Sequence, residues 1–103
     1  IHCAGVDGVE EGFQSRILGE FKGKNIRDEY NTYGLEWTED EYIFYINGVE
    51  TARSSFDNGV SEVMEDVIVS LEIPDETQLA ALDKETYHTE FVVDYVKIYQ
   101  ITE

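Results

Sequence analysis

Asn31 to Ser55, NTYGLEWTEDEYIFYINGVETARSS, reads as strand, tight turn, strand, hairpin turn and strand, and this stretch decides the fold class. Tyr33, Leu35 and Trp37 alternate with Gly34, Glu36 and Thr38, the period of two expected of a strand with one buried face. Thr38 to Glu41 interrupt that alternation with consecutive polar residues, which marks a turn. Tyr42 to Ile46 form an aromatic and β-branched run. Asn47-Gly48 behind it offers the two positive-φ positions that a type I′ hairpin demands, and Val49 starts the return strand.

On the N-terminal side, Ile1 to Cys3 reads as the tail of a strand and the glycine-rich, acidic run Ala4 to Gly12 as a loop. Phe13 to Phe21 alternates well enough for a strand, and Gly23 to Glu29 is polar and expected to be exposed. On the C-terminal side, Ser61 to Asp66 is a candidate for one short helical turn, because Ser61 and the acidic side chains after it can satisfy the first unpaired N–H groups. Val67 to Ile73 reads as a strand stopped by Pro74, which lacks the N–H a ladder would use. Asp75 to Lys84 is a short helix or an ordered loop around Leu79, Ala80, Ala81 and Leu82. Phe91 to Ile101, FVVDYVKIYQI, has β-favouring residues on both faces and is expected to be an interior strand. No internal repeat, low-complexity tract or sustained helical period is present. The economical reading is all-β: an antiparallel β-sandwich of roughly six or seven strands. Large sandwiches run to roughly 200–250 residues, so residues 1–103 are expected to form a single partial domain.

With 103 residues, 42% of them apolar, the chain has material for one core at most. Its 23 acidic residues against 7 basic ones give a formal charge of −16, so a phosphate backbone or an anionic lipid surface is repelled. Nucleic acid and membrane are therefore not expected partners, whereas neutral polymers, calcium ions and cationic partners are allowed. No run approaches the roughly 20 apolar residues of a membrane helix. The single cysteine, Cys3, forms no intrachain disulfide, and the absence of a leader makes the start look internal to a longer protein. Seven tyrosines and one tryptophan suit both pleated surfaces and sugar contact.

The blocks Tyr33-Gly-Leu-Glu-Trp37-Thr-Glu-Asp-Glu-Tyr42-Ile-Phe-Tyr-Ile-Asn-Gly48-Val-Glu, Gly59-Val-Ser-Glu-Val, Ile68-Val-Ser-Leu-Glu72 and Phe91-Val-Val-Asp-Tyr-Val-Lys-Ile-Tyr-Gln100, in that order, resemble the C-terminal half of a glycoside hydrolase family 16 domain. The resemblance implies a concanavalin-like jelly roll, two curved antiparallel sheets with a concave cleft for β-linked polysaccharide. It also implies a secreted, periplasmic or cell-surface protein; the residues themselves do not reveal the compartment. The family's catalytic strand reads Glu-x-Asp-x-x-Glu, because retaining hydrolysis needs two carboxyl groups about 5–5.5 Å apart. No stretch here fits that pattern. The nearest cluster, Glu36 to Glu41, falls largely on the polar break between two strands, so no catalytic residue is expected in this chain. Activity would come from an N-terminal half on another polypeptide or from a parent protein that contains this piece.

The resemblance also proposes binding residues. His2 matches a histidine beside the catalytic strand that would hydrogen-bond sugar hydroxyls, unless it is simply a frayed terminal residue. Cys3, where relatives often carry Trp, takes away a stacking platform there. Ser70 and Glu72 alternate with Val69 and Leu71, and their polar face either looks into the cleft, as in the family, or is merely solvated. Trp37, sharing a face with Leu35 and Tyr33, is expected to pack in the core rather than stack on sugar. Asp94, flanked on its face by Val92 and Val96, needs a partner or a metal ion if it is buried. The resemblance implies a structural calcium there, with hydrogen bonding to backbone or Tyr as the other outcome, and no cofactor is otherwise required. His88 has no second ligand at zinc spacing. Two further readings stay open: a non-catalytic carbohydrate-binding sandwich, and a module that self-associates through unpaired sheet edges, as a dimer for example.

Overall fold

The computed structural model describes residues 2–3, 14–15, 17–23, 26–56, 59–72, 75–83, 85 and 88–102. The chain divides into two compact units, Ile1–Glu65 and Asp66–Glu103.

The first unit holds the strands found among the described residues. Strand β1 (His2–Cys3) pairs antiparallel with β2 (Gln14–Ser15), His2 opposite Ser15 and Cys3 opposite Gln14. Strands β3 (Tyr33–Trp37), β4 (Tyr42–Ile46) and β5 (Val49–Ser54) form an antiparallel meander with β4 in the centre. The two turns are those the sequence dictates. Between β3 and β4 the Thr38 N–H donates to the Glu41 carbonyl (3.0 Å), and the Thr38 hydroxyl accepts from the Glu41 N–H (3.0 Å). Between β4 and β5, Asn47 and Gly48 take φ of 50° and 78°, the type I′ geometry. The Asn47 side chain then ties the hairpin to the start of β3, accepting from the Thr32 N–H (2.9 Å) and donating to the Asn31 side-chain oxygen (2.9 Å).

Cross-strand partners share a face, so the register sorts the meander into two surfaces. Tyr33, Ile46 and Val49, then Leu35, Phe44 and Ala52, then Trp37, Tyr42 and Ser54 form an aromatic and aliphatic face. Gly34, Tyr45 and Glu50, then Glu36, Ile43 and Arg53 form the polar one. The register slips between Phe44 and Tyr45, leaving Thr51 as a bulge residue whose hydroxyl donates to the Phe44 carbonyl (3.2 Å). Ile17, Leu18 and Gly19 join Phe44, Ile46 and Ala52 around a hollow of about 300 Å³. Gly19 approaches so closely that a Cβ there would collide with the Thr51 carbonyl oxygen. The buried apolar residues among those described are Ile43, Phe56 and Val60. Phe56 reaches its place with φ of 54°, a left-handed backbone that a bulky residue adopts only under constraint. Its ring meets Tyr42 edge-on at 6.2 Å.

The structure departs from several sequence expectations in this unit. Strand β3 exists, but its alternating face is not buried: Tyr33, Leu35 and Trp37 stay 70%, 55% and 40% exposed. It is an edge strand, paired among the described residues with β4 alone. Of the strand expected over Phe13 to Phe21, the described part is confined to β2, with Phe13 and Arg16 outside the described residues. The loop expected at Ala4 to Gly12 also lies outside them. Ser61 to Asp66 forms no helical turn. Instead, the Ser61 backbone is committed to aromatic side chains and its hydroxyl donates to the Glu65 carboxylate (3.1 Å).

The second unit contains helix α1 (Glu76–Ala80). Asp75 caps it, its carboxylate accepting from the Gln78 N–H (2.9 Å). The expected strands at Val67 to Ile73 and Phe91 to Ile101 are not formed as ladders: described residues 66–72 and 88–102 make no strand pairing and are exposed throughout. An interior strand needs a neighbour on each side, and neither segment has one among the described residues. The chain is thus an all-β antiparallel fold built on a small three-stranded sheet, with little helix.

Candidate functional site

Where β3 meets its turn, Trp37 is held from two sides. Its indole Nε1 donates to the Ser61 carbonyl (3.2 Å), and the N–H of the same Ser61 donates to the Tyr42 hydroxyl (2.7 Å). The Tyr42 ring lies 6.2 Å from the Trp37 ring at a tilt of 40°. This lattice pins the segment after Phe56 to the end of the meander and fixes the indole plane while 40% of Trp37 stays open to solvent. Trp37, Thr38, Glu39, Asp40, Val60, Ser61 and Glu62 surround a groove of about 790 Å³. The carboxylates of Glu39, Asp40 and Glu62 are exposed and hold no hydrogen bond or ion pair among the described residues. Chemically, the groove combines a fixed aromatic surface with acceptor-only groups. Glu39 and Asp40 sit side by side in an exposed turn.

The polar face of the sheet carries a different arrangement. Arg53 forms a two-pronged contact with Glu50 (Nε to Oε1, 2.7 Å; Nη2 to Oε2, 2.9 Å) and reaches Glu41 with Nη1 at 2.9 Å. Hydrogen bonding to Arg53 holds the Glu50 carboxyl below the ordinary carboxylate range, and the pairing with Glu50 pushes the guanidinium upward in turn. The Tyr45 hydroxyl donates to Glu36 (3.1 Å), which raises the phenol. This face thus carries an exposed Arg53 ion-pair cluster beside a tyrosine–carboxylate hydrogen bond.

The residues singled out from the sequence are not gathered at one place. His2 lies in β1, where its backbone pairs with Ser15. Ser70 and Glu72 belong to the exposed segment 66–72 of the second unit, two residues apart. Asp94 sits in the segment 88–102 and is exposed, as are Val92 and Val96 beside it. Asp94 is thus exposed, not enclosed among apolar neighbours as its alternation with Val92 and Val96 suggested. Among the described residues no three His, Cys, Asp or Glu side chains stand close enough to hold a metal ion. The groove was missed from sequence because alternation alone assigned Trp37 to a buried face; its hydrogen bond to Ser61, 24 residues on, leaves no local signal.

Comparison with protein-family models, with curated proteins and with solved structures found no match to this chain.

Proposed function

We propose that this chain is the C-terminal part of a glycoside hydrolase domain of the family 16 type, completing a sandwich and one wall of a cleft for β-linked polysaccharide. The carrying observation is the state of residues 66–72 and 91–101. They alternate as strands do, with Val67, Val69, Leu71, Phe91, Val93 and Tyr95 among their apolar positions, yet these side chains stay exposed and no ladder forms. Such segments gain stability only when a partner supplies the missing backbone groups and covers the apolar surface. The partner in this reading is an N-terminal half bearing the Glu-x-Asp-x-x-Glu strand, or, in its absence, a second copy joining through sheet edges. Bond cleavage belongs to that other half. This chain contributes His2, Ser70 and Glu72 as groups that hydrogen-bond sugar hydroxyls and hold the polymer in place.

A calcium ion at Asp94 belongs to the same reading. Calcium takes about 6–8 oxygen ligands, and one solvated carboxylate does not make a cage. The described residues alone thus do not fit the ion, and its other ligands would have to come from the complementary half.

The test is complementation. The chain alone is expected to release no reducing sugar from β-linked glucans or galactans. Mixed with an N-terminal half carrying Glu-x-Asp-x-x-Glu, it is expected to co-purify and to hydrolyse with retention of anomeric configuration. Failure of the two pieces to associate, with amides of 91–101 still unprotected from exchange, would sink the proposal.

A further inference from the structure

We propose that residues 91–101 pair with the same residues of further copies of this chain, antiparallel and with Asp94 opposite Lys97, and that this register builds an open filament in place of a closed dimer. The inference rests on the reading above, in which this segment lacks a strand partner, and specifies the partner the chain supplies when it is alone. The Phe, Val, Ile and Tyr side chains of the segment are all exposed. It contains neither Gly nor Pro, and its two charges, Asp94 and Lys97, cancel, although the whole chain carries −16. Those are the sequence conditions for strands that pair with copies of themselves. The Lys97 ammonium lies over the Tyr95 ring, 4.6 Å from its centre, so the two side chains share one side of the backbone, as residues two apart in an extended strand do.

The two charges choose the register. In a parallel in-register stack Asp94 would face Asp94 and Lys97 would face Lys97, which is repulsive. Antiparallel pairing centred on Tyr95 sets Asp94 against Val96 and Lys97 against Val93; centred on Val96, it sets Asp94 against Ile98 and Lys97 against Tyr95. Centred between Tyr95 and Val96, it places Asp94 opposite Lys97 twice in each contact, with Val92 opposite Tyr99 and Val96 opposite Tyr95. Opposite-charge and aromatic–β-branched pairs are the combinations that stabilise neighbouring strands. This register also fixes the symmetry. Opposed residues share a sheet face, whereas Asp94 and Lys97, three apart, fall on opposite faces of their own strand. The second copy is therefore turned over relative to the first, which the two-fold axis of a closed antiparallel pair does not allow. Each added copy leaves a free edge equivalent to the one it covered, so growth continues. The net charge of −16 opposes contact between copies at long range, and salt removes that opposition. The screening length is about 8 Å at about 0.15 M salt and about 30 Å at about 0.01 M. Whole-chain repulsion thus fades at the higher value while the Asp94 to Lys97 pair, at contact distance, persists.

The full chain at about 0.15 M salt is expected to form species that keep growing with concentration in sedimentation velocity, and to do so far less at about 0.01 M. Pellets should give the cross-strand reflection near ~4.7 Å. Asp94→Lys and Lys97→Asp each set like charges face to face twice per contact and are expected to raise the concentration needed for assembly about tenfold. Mixed in equal amounts, the two variants restore every opposite-charge pair, and the mixture is expected to assemble like the parent. Asp94→Lys separates the proposal from indiscriminate aggregation, because it reduces the net charge of the chain and would promote the latter. Val96→Pro, in a segment that belongs to no strand of the lone chain, is expected to abolish assembly and leave the far-UV circular dichroism of the meander unchanged. Growth that stops at a dimer, an Asp94→Lys chain that assembles as readily as the parent, or a mixture no better than its components overturns the proposal. Mixing with an N-terminal half is read separately: hydrolysis there, by a chain that stays monomeric alone, removes the self-pairing and spares the enzyme reading, and assembly without hydrolysis does the reverse.

Discussion

Residues 91–101 are richer in β-branched and aromatic side chains than residues 42–54, yet the latter form two strands of a sheet and the former form none. The difference lies in where each finds its partner. Strand β4 meets β5 across two residues, Asn47 and Gly48, whose backbone geometry closes the hairpin, and meets β3 across a turn locked by Thr38. Closing such short loops costs little chain entropy. Residues 91–101 follow a polar stretch of sequence, and no described segment pairs with them. Strand propensity describes a surface ready to pair, whereas the turn decides whether pairing occurs within the segment.

The strongest way to break this contrast is to remove the meander's anchor. Phe56→Ala deletes a ring that is only 5% exposed and packs edge-on against Tyr42, at an expected cost of about 3 kcal/mol. Amide exchange should then accelerate across β3, β4 and β5 while residues 91–101 exchange as before. A matching loss of protection in 91–101 would show that the two regions are not independent. Next in size is Gly48→Val. Gly48 holds φ of 78°, and a β-branched residue there should cost about 2 kcal/mol, seen as a lower midpoint in urea with loss of the Tyr45 to Glu50 pairing. A smaller effect, about 1 kcal/mol on α1 alone, is expected for Asp75→Ala, because the Gln78 N–H loses its acceptor. Carbon chemical shifts of 76–80 would register it, and those of β3 to β5 should not move.

The smallest effect concerns pH. Glu50 titrates below its ordinary value of 4.5 in the folded chain because of Arg53. Its contribution is therefore present above about pH 4.5 and is lost as the pH falls through the lowered folded value. Glu50→Gln should flatten the acid limb of a stability profile slightly and leave the neutral region unchanged, since exposed ion pairs contribute little.

Much of the first unit was legible because its instructions are local. Asn47-Gly48, the polar break at Thr38 and the runs on either side specify turns, strands and register without reference to the rest of the chain. The short helix near Leu79 was also legible, though its cap at Asp75 was not singled out. Burial was not legible. Tyr33, Leu35 and Trp37 announce an apolar face, but whether that face is covered depends on what lies above it. Ser61 misled for a related reason: its hydroxyl and acidic followers fit a helix start, while its backbone groups were claimed by Trp37 and Tyr42 from the neighbouring strands. The groove at Trp37 arose from that same long-range bond, and Asp94 looked buried only because a strand was assumed around it.

The bulge at Thr51 gives the meander a direction of growth. An added strand needs a regular row of N–H and C=O groups, and β5 interrupts its row at Thr51, whose carbonyl is moreover crowded by Gly19. The rim along Tyr33 to Trp37 has no such interruption in its register with β4. Of the two outer strands, β3 thus presents the more regular row of backbone groups, and the indole of Trp37 stands at its end.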